Sequence, residues 1–306
     1  MAPLAAPDVL VLAGGGVLGE SWMTGVLAGL EDAAGIELRR IEAFVGTSAG
    51  SIVAARLAAG RTLRRPEDSA DPAPQEGEDG DGSSGSAVRE ALRAAGALAW
   101  AGTAPAASAA VALGAPAGAL VRAAALARMP TGGRRLDRLR GEVARWGTRF
   151  DGRLRVCTVD RRSGRRVVFG APGAPPADVA DAVLASCAIP WVFAPVEIGG
   201  REYVDGGVWS VTNLDAAPAG RDTQVLCLDT IAGLDPRTRR MTAMRGAFRV
   251  AAELEIQLLR RRGARVRHVA PDAAAAQAIG TNLMDGSASA RVLAAGYRQG
   301  RAVARA

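Results

Sequence analysis

The chain has no lysine, a single histidine and three cysteines among its 306 residues, and only 4% of it is aromatic. Each scarcity narrows the field of functions. Cys157, Cys187 and Cys227 lie far apart, without C-x-x-C spacing, and each sits in or beside an apolar run. They read as buried, reduced thiols. All positive charge is arginine, and the net charge is +7. Such a balance can favour anionic membranes or nucleic acid. The arginines, however, fall in small scattered groups without interleaved aromatics and match no nucleic-acid module, so solvated surface with weak attraction to anionic lipid is the better reading. The first residues lack a basic region and a long apolar core, so no secretory signal is expected and a cytoplasmic protein, at most peripheral to the membrane, follows.

Charge is also missing between Arg93 and Arg122, a length that suits a membrane span. That stretch is mostly Ala and Gly, is broken by Pro105 and Pro116, and offers little transfer energy. A helical lid over an apolar pocket is expected instead, with residues 88–147 as the insertion. Ahead of it, residues 64–87 hold acidic residues among Pro, Gly and Ser and read as a disordered acidic loop.

What is present begins with Gly46-Thr47-Ser48-Ala49-Gly50. A short apolar run precedes it and a helix-prone segment, Ser51 to Ala59, follows, which is the strand, turn and helix context of a G-x-S-x-G nucleophile elbow. Upstream, Asp8 to Leu12 reads as a strand flowing into Ala13-Gly14-Gly15-Gly16-Val17-Leu18-Gly19. A helix through Trp22, Met23, Val26, Leu27 and Leu30 comes next, with Gly35 as its stop. A βαβα start argues for an α/β fold, a mainly parallel sheet with helices on both faces.

The glycine loop carries two readings. Gly14-x-Gly16-x-x-Gly19 matches a dinucleotide fingerprint, but the second strand ends in Gly46-Thr47-Ser48 and not in the acid that would hold a ribose. Alternatively, successive glycine amides form an oxyanion hole for a nucleophile on the neighbouring strand.

From Leu154 the α/β rhythm resumes. Leu154 to Val159 and Arg166 to Phe169 read as a hairpin around Ser163-Gly164, and Asp178 to Ala185 as a helix that Asp178 can cap. Val196 to Ile198 and Glu202 to Val204 form a second hairpin that ends at Asp205-Gly206-Gly207. A strand at Val225 to Leu228, a long helix from Arg237 to Arg262, a strand from Arg265 to Ala270 and a helix from Ala288 to Ala304 complete the chain.

A serine hydroxyl needs a base. His268 stands in the order expected of a Ser-acid-His triad, yet it lies inside a strand-like run, so a structural role is expected for it. Asp205 ends a strand and is followed by two glycines that let its carboxylate approach another loop. Held in a dry site, a carboxylate can take the serine proton.

Four stretches in register resemble the patatin-like acyl hydrolases, or patatin-like phospholipases. These are Gly14 to Gly19, Gly46 to Gly50, Ala185-Ser186-Cys187-Ala188-Ile189-Pro190 with Phe193 and Pro195, and Asp205-Gly206-Gly207. The resemblance implies a three-layer patatin-like sandwich, here a single domain over 1–306, with Ser48 as nucleophile, Asp205 as base and Gly14, Gly15 and Gly16 as oxyanion donors. It implies a lipid ester as substrate, an acyl-serine intermediate, and no metal, cofactor or nucleic acid. Where the family often carries Arg or Lys before the last loop glycine, this chain has Leu18. That departure bears on phospholipid recognition more than on ester hydrolysis. A lipid-binding or membrane-associated protein with little turnover is the alternative.

Overall fold

In the computed structural model, residues 6–70, 116–129, 131–132, 136–233 and 239–305 are described. Residues 71–87 of the expected acidic loop and 88–115 of the expected insertion lie outside the described residues. Within the loop, Pro66–Ala70 forms a 310 turn instead of irregular chain. Arg65 fixes its start by forking onto Asp32 and by offering its own amide to Asp68 at 2.7 Å.

Strands β1 (Val9–Leu12) and β2 (Ala43–Thr47) are buried along their whole length. That continuous apolar pattern belongs to parallel strands covered on both faces. With β3 (Leu154–Asp160), β4 (Arg166–Phe169), β5 (Val196–Ile198), β6 (Arg201–Asp205), β7 (Gln224–Leu228) and β8 (Arg265–Val269) they build one mixed sheet. Its order is β5-β6-β3-β2-β1-β7-β8, with β4 paired to β3 off that path. Alternate side chains go to opposite layers. Leu10, Leu12 and Phe44 enter the larger core with α1 (Gly16–Ala34), α2 (Ala49–Ala58), α5 (Val179–Cys187) and α8 (Ser289–Val303). Val9, Val11 and Val45 meet Ile256 and Leu259 of α6 (Arg239–Arg261) on the other face. The expected sheet with helices on both faces is therefore present.

The described residues of the expected insertion form two helices, α3 (Pro116–Arg128) and α4 (Asp137–Arg145). Helix α3 packs Leu126 against Val159, Val204 and Val208. A short helix, α7 (Ala273–Ile279), was not expected from the alanine run alone. Asp272 caps it, its carboxylate accepting the Ala275 amide at 2.8 Å. Asp178 holds the N-cap position of α5 without a side-chain cap bond. Gly35 ends α1 as expected, at φ 67 with its N–H on the Glu31 carbonyl.

The register on β3 decides what the sheet can do. Its residues 156–159 pair with β4, so β4 takes one edge. On the opposite edge β2 occupies the first part, ending at Thr47 opposite Cys157, and β6 occupies the next, ending at Asp205 opposite Thr158. Strand β2 runs parallel to β3 and β6 antiparallel, so their C-terminal ends converge on neighbouring residues of one edge.

Helices α1 and α8 make the most extensive helix contact. A Cβ placed at Gly25 would stand 2.2 Å from the Leu293 carbonyl oxygen, and one at Gly300 2.1 Å from that of Val26. Trp22 donates its indole N–H across the pair to Gln299 at 2.8 Å. Because both helix backbones would have to separate, Gly25→Ala is expected to destabilise the fold by on the order of 3 kcal/mol. Gly35→Ala has open space but a left-handed φ, and should cost about 1 kcal/mol. Urea unfolding of the two variants measures the contrast.

Candidate active site

Ser48 joins β2 to α2 with φ 51 and ψ −124, a region that non-glycine residues occupy only when their surroundings enforce it. The surroundings do so. The Ser48 N–H donates to Ser186 Oγ at 2.9 Å, and Ser186 Oγ donates onward to the Cys157 carbonyl at 2.7 Å. The Ser48 carbonyl accepts from Ser51 Oγ at 2.6 Å. The flanking glycines serve close approach. A Cβ at Gly50 would lie 2.0 Å from the Leu12 carbonyl oxygen, and one at Gly46 2.4 Å from the Ser51 Cα. Helix α2 consequently starts at Ala49, directly after the elbow, and not at Ser51.

Asp205 is fully buried at the end of β6, where its N–H is held by the Ala188 carbonyl at 3.0 Å. Its Oδ1 accepts the Gly207 amide at 2.7 Å, while Oδ2 is buried without a hydrogen-bond partner. Burial pushes the carboxyl up to about 7, against the restraint of the Gly207 amide and the Ser48 hydroxyl. The hydroxyl is therefore near enough for the carboxyl to feel, although no well-aligned bond joins them, and Oδ2 keeps an open lone pair in a dry setting. Cys187 flanks the same pair, and burial with the Asp205 charge pushes its thiol well up. All three cysteines are buried and free, as expected.

The glycine loop lies against the elbow, since a Cβ at Gly14 would be 3.5 Å from that of Ser48. Its amides divide. The Gly14 N–H is engaged by the Val211 carbonyl at 3.0 Å. The Gly15 and Gly16 amides open the first turn of α1 and have no acceptor among the described residues. Side chains are excluded there, because a Cβ at Gly15 would strike Thr230 at 2.8 Å and one at Gly16 the Leu283 carbonyl oxygen at 2.9 Å. Leu18 is fully buried in the larger core, so this position turns away from the site's surface.

The element that ties these parts together went unnoticed in the sequence. Asn213, left-handed at φ 48, donates its side-chain amide to Thr47 Oγ1 at 3.1 Å, the Gly206 carbonyl at 3.2 Å and the Ser210 carbonyl at 2.5 Å. Thr47 precedes Ser48 and Gly206 follows Asp205, so one side chain staples the Ser48 strand to the Asp205 turn. The same loop supplies the Val211 carbonyl that holds Gly14. Glu255 on α6 anchors it, accepting the Thr212 hydroxyl at 2.5 Å and the Leu214 amide at 2.8 Å. Burial pushes the Glu255 carboxyl up to about 7, with the nearby Asp215 charge adding to the rise. The cluster Ser210-Val211-Thr212-Asn213 just after Asp205-Gly206-Gly207 was the available signal: four residues, three of them polar, at a strand end.

His268 lies on β8, paired with Cys227 of β7, and its Nε2 sits 3.2 Å from Asp229 Oδ2. Strands β1 and β7 separate β8 from β2, so the histidine is not brought to Ser48. A cleft of about 170 Å³ along Gln224, Arg265 and Arg267 opens at the N-terminal ends of β7 and β8, the far end of the sheet from Ser48. Among the described residues no group of His, Cys, Asp and Glu can hold a metal ion, and no helix is long and apolar enough to cross a membrane.

The sequence profile of the family described as patatin-like phospholipase matches residues 10–218, more than half of the chain. The chain belongs to the patatin-like phospholipase family. That membership supports lipid acyl hydrolase activity in general. Among solved structures, the crystal structure of VipD from Legionella pneumophila is similar, with a TM-score of 0.46 and 15% identity over 99% of this chain and 67% of that one. No curated protein matches the sequence.

Removing the Asn213 staple leaves buried acceptors unpaired and replaces asparagine, which tolerates a left-handed φ, by alanine, which tolerates it less well. Asn213→Ala should therefore lower stability by about 2–3 kcal/mol. Asn213→Gly, which relieves only the backbone, should recover about 1 kcal/mol of that loss. Chemical denaturation of the two variants separates the contributions.

Proposed function

We propose that the protein is a serine acyl hydrolase of lipid esters that works through a Ser48–Asp205 dyad. One observation carries the reading: a serine in an enforced left-handed elbow faces a buried carboxyl that is pushed up to about 7 and has one oxygen unpartnered. A carboxylate titrating near neutrality is a competent base for a hydroxyl at working pH.

In the first half-reaction, Asp205 Oδ2 takes the Ser48 Oγ proton as Oγ attacks the ester carbonyl carbon. The carbonyl π-bond opens and its electron pair becomes the oxyanion. The Gly15 and Gly16 amides are the free donors for that charge, with Gly14 acting as a brace through Val211. The intermediate then expels the alcohol oxygen, which takes the proton from Asp205 and leaves acyl-Ser48. Water repeats the sequence, giving its proton to Asp205 and releasing the carboxylic acid and free Ser48. Lipid as the ester's source rests on the family.

The base acts ionised, so kcat/KM should rise with pH and level off above about 7. Stability runs the other way. A carboxyl whose folded-state pKa lies above its ordinary value of 3.8 makes the native state bind more protons than the unfolded chain. Its contribution to stability therefore falls as pH rises from about 4 to about 7. Asp205→Asn should abolish turnover and, at pH 8, melt at or above the wild-type temperature. A melting temperature several degrees below wild type would mean that the carboxylate is a structural partner and not a strained base.

A fluorophosphonate probe should label wild type and fail to label Ser48→Ala. His268→Ala should retain at least half of the esterase activity, since its ring is spent on Asp229. Loss of activity in that variant with Asp205→Asn still active would restore the conventional triad.

A further inference from the structure

Helix α3 carries a charge that no described residue balances. Arg122 is 2% exposed, yet only one of its nitrogens is used: Nε donates to the Gly164 carbonyl at 2.8 Å, while both terminal nitrogens are buried without a partner. Its guanidinium stacks on the Trp209 ring at 4.2 Å, and the Trp209 indole nitrogen is likewise buried and unpartnered. Three nitrogens without a partner thus belong to two side chains in direct contact.

The nearest charge makes matters worse. Arg166 approaches the same ring at 5.3 Å, but its own guanidinium is taken by Asp215 and Asn213. Burial, with the neighbouring positive charge of Arg166, pushes the Arg122 guanidinium down to about 10. A buried cation with repulsion and no counter-charge is a poor native arrangement unless something else completes it. The helix is held in place for it, because a Cβ at Gly164 would lie 2.3 Å from the Ala119 carbonyl oxygen, so α3 rests directly on the β3–β4 turn.

We propose that Arg122 and Trp209 form a binding site for a phosphate oxyanion. The two free terminal nitrogens of a guanidinium form a planar fork that matches two oxygens of such a group, and the indole N–H can meet a third. Trp209 stands four residues after Asp205, its amide bonded to the Gly206 carbonyl at 3.0 Å, so the site is built on the turn that carries the proposed base. Leu18, where the family often carries a cation, is buried and apolar. The phosphate can belong to a substrate head group or to a free phosphate ion. The site itself does not depend on the acyl-hydrolase reading, although its use for a head group rests on that reading.

Two measurements test it. In the first, inorganic phosphate is titrated at constant ionic strength while the melting temperature and tryptophan fluorescence are followed. Wild type should be stabilised saturably. Arg122→Lys keeps the charge but not the fork, and Trp209→Phe keeps the stack but not the N–H, so both should weaken binding, the former by roughly tenfold as expected for a charge-assisted pair. A wild type indifferent to phosphate overturns the site, whatever the variants do, and this result requires no catalysis. In the second, kcat/KM is compared for dihexanoylphosphatidylcholine and dihexanoylglycerol. A ratio that falls about tenfold in Arg122→Lys assigns the site to the head group. Phosphate stabilisation that Arg122→Lys weakens, with that ratio unmoved, supports a site for the free ion. Phosphate stabilisation that survives both substitutions overturns the assignment to these residues.

Discussion

Two strand ends meet on one edge of β3, and the site depends on that meeting. Thr47 and Asp205 oppose consecutive residues, Cys157 and Thr158, although they arrive from opposite directions. A strand edge offers a fixed pattern of donors and acceptors, so the register brings the residue after Thr47 beside the end of β6 without further adjustment. The hydrogen bonds of Ser186 then transmit the position of the same β3 carbonyl to the Ser48 amide. Gly206 belongs to this arrangement, since a Cβ there would stand 2.3 Å from the Cys157 carbonyl oxygen. A one-residue slip of either partner on β3 would carry its end away from this junction.

The parts legible in the sequence are those whose chemistry demands a local pattern. The elbow around Ser48 and the loop from Gly14 to Gly19 require glycine at fixed spacing, and Asp205-Gly206-Gly207 announces a turn directly after a strand. The strands β1, β2 and β7 were readable from apolar continuity. What escaped notice acts across long separations. Asn213 reaches Thr47, 166 residues away. Ser186 sat inside a quoted motif, yet its bond to Ser48 spans 138 residues and has no local signature. The sharing of a β3 edge by β2 and β6 is likewise a tertiary fact. Even the glycine loop divided in a way that spacing does not express, with Gly14 braced and its two neighbours free.

Buried and half-buried ionisable groups cluster around the strand ends: Asp205, Glu255 and Arg122 are buried, and Arg166 with Asp215 is half-buried. They are not interchangeable. Arg166 and Asp215 satisfy each other, whereas Glu255 binds a hydroxyl and an amide through Oε2 and keeps Oε1 buried without a partner. Asp205 and Arg122 each keep hydrogen-bonding capacity in reserve in a dry environment. An unmet group of that kind destabilises the folded state, and such groups concentrate where a protein acts on something else. The well-paired groups hold the backbone against which the unpaired ones are positioned.

The glycine faces of α1 and α8 carry a consequence in time. Helix α1 opens with the free amides of the glycine loop, and its outer groove admits only a backbone as close as that of residues 289–303. Among the described residues, no earlier segment fills that groove. During synthesis the groove of α1 therefore stays open until residues 289–303 have emerged. A chain interrupted upstream of α8 would lack the helix that packs against Trp22 and Val26.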